Sequence, residues 1–211
     1  MKIYTGMTSG EKLDKIKERD MGIMISSSPH ASVTKSMKDV YCALDNGAFS
    51  CFSNGFPFQE DIFLNTIKAC YKNSIKLDFI VCPDIVQGGL TSLDFSMSWA
   101  TGRLLSTPNL ALVVQDGMTP KDISVGFHLK YFSYIFIGGS VRWKWGTAED
   151  WVAFAKDNGK KIHIGQCGQI KHLVRARELK VDSVDSTSWT INNSFDIIDD
   201  FREDRQPRLV I

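Results

Sequence analysis

Short apolar runs alternate with longer segments of mixed polarity along almost the whole chain. Eight such runs stand out: KIYTG, GIMISS, YCALDNG, DFIVCPD, LALVVQDG, YIFIGG, KIHIGQ and VDSVDS. Most are apolar on both parities, the pattern of strands buried on both faces of a parallel sheet. Helix-like periodicity occupies 9–19, 60–73, 92–106, 119–130, 147–158, 168–180 and 194–204. Thr147 before AEDW and Ser194 before FDIIDD are the expected N-caps of two of these helices. The connection 27–39 carries the weakest helical pattern, and 45–61 (DNGAFSCFSNGFPFQED) reads as one large loop. Strands alternating with helices predict an α/β fold, and eight units predict a compact (β/α)8 TIM-like barrel with residues 1–211 as a single domain. An open doubly wound sheet is the alternative that shares this pattern.

The residues at the strand ends point to chemistry. Asp45, Asp84, Gln115, Gly138, Gly139, Gly165, Gln166 and Asp185 close successive apolar runs, and in a parallel barrel such positions converge on one mouth. Each alone is an ordinary turn former or cap; their recurrence at one strand end after another argues for a site. The last run, VDSVDSTSW, places Asp182 and Asp185 three residues apart. Successive strand residues face opposite ways, so the two carboxylates cannot share a space. One is expected to be structural and the other chemical.

Charge narrows the partners. With 25 Lys+Arg against 24 Asp+Glu the net charge is +1, so any polyanion contact must come from a local patch. SVRWKWGT, after the sixth run, interleaves Arg142 and Lys144 with Trp143 and Trp145; cations for phosphates and indoles for bases make it the expected nucleic-acid grip. His30, after SSSP, is a further candidate contact, whereas His163 reads as a core strand residue. Phe49, Phe52, Phe56 and Phe58 are expected to cluster and order their loop. Five cysteines without paired spacing predict no disulfide framework and no metal site, hence a reduced, cytoplasmic chain. No apolar run is long enough for a bilayer, so no membrane partner is expected. Nothing in the pattern calls for a cofactor, and it assigns no oligomeric state.

Four segments in order carry a family resemblance. ALDNGAFS, VVQDG, FIGGS and HIGQCGQIKHLVRARELKVDSVDS, spanning about residues 41 to 186, resemble motifs of the tRNA-guanine transglycosylase superfamily. The resemblance implies that Asp185 is a nucleophile at C1′ of a nucleotide, that Asp45 is the general acid/base, and that Asp84, Gln115, Gly138 and Gly139 hold the base. Asn46 and Phe49, in the same motif as Asp45, are taken as base contacts too. The family's clustered Cys and His zinc ligands have no counterpart, since no cysteine follows Cys167. That departure resembles the small DNA-acting branch. It implies a glycosylase cleaving a modified base from DNA, more than RNA, and by extension a role in antiviral defence. A base-exchanging transglycosylase, a barrel enzyme acting on a free metabolite and a non-catalytic nucleic-acid-binding relative are the alternatives.

Overall fold

A computed structural model describes residues 1–204 of the 211, so the last seven positions of the expected domain lie outside the described residues. Eight strands follow one another around a closed barrel: β1 (Lys2–Gly6), β2 (Gly22–Ser26), β3 (Cys42–Asp45), β4 (Leu77–Val81), β5 (Leu110–Val114), β6 (Phe132–Ile137), β7 (Lys161–Ile164) and β8 (Ser183–Ser186). Every pairing is parallel, and β8 returns to β1 to close the ring. The architecture is a (β/α)8 barrel. Its helices are α1 (Glu11–Glu18), α2 (Ala48–Ser53), α3 (Glu60–Lys72), α4 (Leu90–Thr101), α5 (Val141–Asp157), α6 (Ile170–Glu178), α7 (Ser188–Ile191) and α8 (Asp196–Arg202). None of these is long and apolar enough to cross a membrane.

The strands are apolar on both parities because both faces are covered. In β5, Leu110, Leu112 and Val114 join the layer between sheet and helices, while Ala111 and Val113 pack inside the barrel. Inside, Tyr4, Phe79 and Tyr134 fill the end from which the strands start, with Phe79 and Tyr134 rings 4.6 Å apart. The Tyr4 hydroxyl donates to Asp78 at 2.6 Å, and Lys2 Nζ meets the same carboxylate at 2.7 Å. That end is plugged. Asp182, just before β8, accepts the Ile162 amide through its side chain at 2.8 Å and thereby extends the β7–β8 edge.

Several helix expectations need correction. Residues 119–130 hold only two 3-10 turns, Pro120–Asp122 and Leu129–Tyr131; Pro120 and Gly126 explain why no longer helix propagates. The segment 27–39 holds one 3-10 turn, Lys35–Asp39, while the presumed loop at 45–61 contains α2. Finally, α5 begins at Val141 with Ser140 as its N-cap, its hydroxyl accepting the Trp143 amide, and Thr147 lies inside the helix. Likewise Phe195, not Ser194, stands at the N-cap of α8. The early start of α5 changes the reading of SVRWKWGT: residues 144, 148, 151, 152 and 155 form one buried helical stripe, so Lys144 points inward.

Candidate active site

The strand ends do converge. Where the strands finish, a cavity of about 630 Å³ opens, lined by Asp45, Asp84, Asp116 and Asp185, by Gln87, Gln115 and Gln166, and by Lys144. Its walls include Phe49 and Phe52, and it ends inward on Met24, Val81, Val113 and Phe136. A drug-sized or nucleoside-sized molecule fits such a volume.

Asp185 projects from β8 and is anchored from below. His163 Nε2 lies 2.9 Å from Asp185 Oδ1, and His163 Nδ1 lies 2.9 Å from the Ser183 hydroxyl. An ionised carboxylate only accepts, so Nε2 is the donor to it, and the Ser183 hydroxyl can serve Nδ1 in either protonation state. His163 is fully buried, yet it positions a mouth carboxylate rather than merely filling the core. Strand parity was the available signal, because His163 stands two residues before Gly165 at the mouth, just as Ser183 precedes Asp185.

Asp45 closes β3. Its side chain accepts the Gly47 amide at 3.1 Å, and its carboxyl is pushed up to about 7, mainly by burial and then by the Asp185 charge. Asp84 is raised to about 6 by burial, against the opposing pull of hydrogen bonds from Asn46 and Gln115. Those bonds complete a closed network. Asn46 Nδ2 donates to Asp84 Oδ1 and to the Cys82 carbonyl, each at 2.8 Å, while its Oδ1 accepts the Ala48 amide. The two N–H groups of Gln115 Nε2 are shared among Asp84, the Ile85 carbonyl and the Ser92 hydroxyl, all within 3.1 Å. The side-chain donors expected to hold a ligand are therefore spent inside the protein. Removing Asn46 strands a buried carboxylate and a carbonyl, so Asn46→Ala should cost roughly 1–3 kcal/mol in a urea unfolding titration.

The other expected contacts divide. Gly138 lines the cavity but donates its amide to the Val114 carbonyl within the barrel ladder, so that N–H is taken, while Gly139 (φ 75) sits where a Cβ would meet Asp116. The Asp116 carboxylate takes the Ser140 amide and hydroxyl, both at 2.6 Å, and so occupies the start of α5. Phe49 is 56% exposed at the rim and Phe56 is exposed too; only Phe58 joins an aromatic cluster, with Phe63, Phe95 and Trp99. The predicted basic-aromatic grip is not assembled. Lys144 is buried and donates to the Gly165 carbonyl, its ammonium held below the ordinary lysine range by burial. Trp143 packs towards Trp151 and Trp145 stacks on His172 at 5.0 Å. Arg142 is exposed, and neither it nor His30 lines the cavity. Burial pushes the Cys167 thiol up to about 12, which leaves it protonated near neutrality.

Among the described residues no group of three His, Cys, Asp or Glu side chains is arranged to hold a metal ion. No protein-family model matches the chain, and no curated protein does.

By fold, the chain is similar to a glycerophosphodiester phosphodiesterase. That crystal structure, from Parabacteroides distasonis ATCC 8503, superposes with a TM-score of 0.58 over 97% of this chain and 98% of the other, at 10% identity. The likeness supports the barrel and nothing finer. It also corrects the resemblance drawn from the four motifs. The transglycosylase motifs find no family model to support them, and a structural neighbour of the barrel is a glycerophosphodiester phosphodiesterase, outside that superfamily. The DNA glycosylase and base-exchange readings and that of a non-catalytic relative of the family, with the N-glycosyl chemistry and the defence role attached to them, accordingly do not hold. The physical reason lies in the motifs themselves: glycine turns and acidic strand ends are what any barrel mouth requires, so their order reports architecture before ancestry.

Proposed function

We propose that the barrel mouth hydrolyses an ester-type bond by general acid–base catalysis, in a substrate that is uncharged or cationic where it enters the cavity. The observation that carries this reading is a pair of carboxyl groups in one cavity, Asp45 accepting the Gly47 amide and Asp185 held by His163. Asp45, raised to about 7, holds a proton near neutral pH and can give it to a leaving oxygen. Asp185, oriented by His163, can take a proton from the attacking water. Water adds across the bond, the leaving group departs as an alcohol, and the proton gained by Asp185 returns through solvent to Asp45. Four carboxyl groups and a single lysine line the cavity, an electrostatic setting that repels anions. The fold likeness to a phosphodiesterase is consistent with ester hydrolysis but adds no residue to it. Five free cysteines fit a reducing, cytoplasmic setting.

The test is turnover of p-nitrophenyl acetate, p-nitrophenyl butyrate and bis(p-nitrophenyl) phosphate, the last with and without magnesium, across a pH series. The neutral esters should be hydrolysed with a limb of the pH profile near the Asp45 value of about 7, and Asp185→Asn should abolish turnover. Hydrolysis confined to the anionic phosphodiester, or none of any ester, sinks the reading.

A further inference from the structure

Two glutamines at the mouth adopt a backbone conformation that their side chains disfavour. Among the described residues eight non-glycine positions have positive φ. Asp20, Ser74, Asn109 and Lys180 stand in turns that lead from a helix back to a strand, and Asn193 and Asp204 follow short helices. These are ordinary places for a left-handed residue. Gln87 (φ 61) and Gln166 (φ 60) differ: each lies in a loop leading from a strand to a helix, and each lines the cavity. Glycine is immediately at hand in both loops, as Gly88 and Gly89 and as Gly165 and Gly168, yet glutamine occupies the left-handed position. Strain retained where glycine would relieve it marks a side chain held for use.

Their side chains are free to be used. Both residues are exposed, and neither carboxamide has a hydrogen-bond partner among the described residues. This contrasts with Asn46 and Gln115, whose side-chain N–H groups are spent on Asp84 and nearby oxygens. The loops that carry them follow β4 and β7, three strands apart around the ring, so the two carboxamides flank the cavity from different sides. A carboxamide donates and accepts but carries no charge. It suits hydroxyl and carbonyl groups, and it adds no attraction for an anion in a cavity already acidic.

We propose that Gln87 and Gln166 are the specificity-determining residues of the mouth, gripping an uncharged polyol portion of the substrate between them. The proposal names the substrate class of the site read above as hydrolytic and rests on that reading for the word substrate, but its test needs no catalysis. Xylitol serves as the uncharged polyol probe and sulfate as the anionic comparator, titrated against the 15N-labelled protein. Expected are saturable shifts of the Gln87 and Gln166 side-chain NH2 signals with xylitol, none with sulfate, and none of the exposed Gln169 with either. Gln87→Gly and Gln166→Gly should each weaken xylitol binding about three- to tenfold, the loss of one neutral hydrogen bond, while raising the melting temperature through relief of strain. Absence of saturable shifts up to molar xylitol, or unchanged affinity in both glycine variants, overturns the proposal. Xylitol binding that persists in an Asp185→Asn protein while no ester is turned over retains the grip and removes only the hydrolytic reading.

Discussion

Asp45→Asn should lower turnover of a neutral ester about 10²- to 10⁴-fold, the range for loss of a general acid, while making the fold more stable in mild alkali. Asparagine keeps an oxygen for the Gly47 amide but carries no titratable proton. The stability effect has a defined sign. A carboxyl raised from 3.8 to about 7 favours the folded state most when it is protonated, below its unfolded value. That contribution is lost as the pH rises through about 7. Each pH step of the interval is worth ~1.4 kcal/mol, and with one side of the group open to the cavity the expected gain for the asparagine variant is roughly 2 kcal/mol. Urea denaturation of both proteins at about pH 5 and about pH 8 reads it: the variant's gain over the parent should be larger at the higher value. A variant that keeps full turnover, or that gains nothing in alkali, removes Asp45 from the role of acid. Asp84, raised to about 6 by burial, adds a cost of the same sign, so the parent protein itself should lose stability between about pH 5 and about pH 8.

Gly47→Ala should be more damaging than its one added carbon suggests. Gly47 has φ 81, and a Cβ there would stand 2.2 Å from the Ser27 carbonyl oxygen, so strain and collision add. The expected loss is about 3 kcal/mol or more, corresponding to a fall in melting temperature of roughly 6–12 °C for a chain of this size. The injury also reaches the chemistry, because Asp45 accepts the Gly47 amide, Asn46 accepts the Ala48 amide, and α2 with Phe49 and Phe52 starts at this turn. Calorimetry together with ester turnover tests this: a folded Gly47→Ala protein with unaltered kinetics would mean that the turn does not position Asp45.

The barrel was legible because its cause is repetitive. Each of the eight apolar runs is buried on both faces, so the strands announced themselves without help from neighbours. Helix starts were less legible where the capping residue sits in a strand-end motif: Ser140 follows Gly138 and Gly139 and looks like turn chemistry, so α5 is expected from the sequence to begin at Thr147, and Lys144 to serve as a phosphate contact in the grip. The acidic residues of the site could be placed by strand ends alone. Their division of labour could not. His163 reads as core by its position in a strand, and only the folded ring shows it under Asp185. Asn46 and Gln115 read as ligand contacts by their place at the mouth, and only the assembled network shows their donors consumed by Asp84. Backbone strain at Gln87 and Gln166 leaves no trace in the order of residues, because it arises from loop closure between strand and helix.

The plug of Tyr4, Phe79 and Tyr134, with Asp78 beneath it, makes the chamber a cul-de-sac. Whatever enters past Phe49 and Phe52 has to leave by the same door, so spent fragments and fresh molecules contend for one passage. Progress curves should flatten well before the starting material is exhausted, and added alcohol or acid fragment should flatten them sooner.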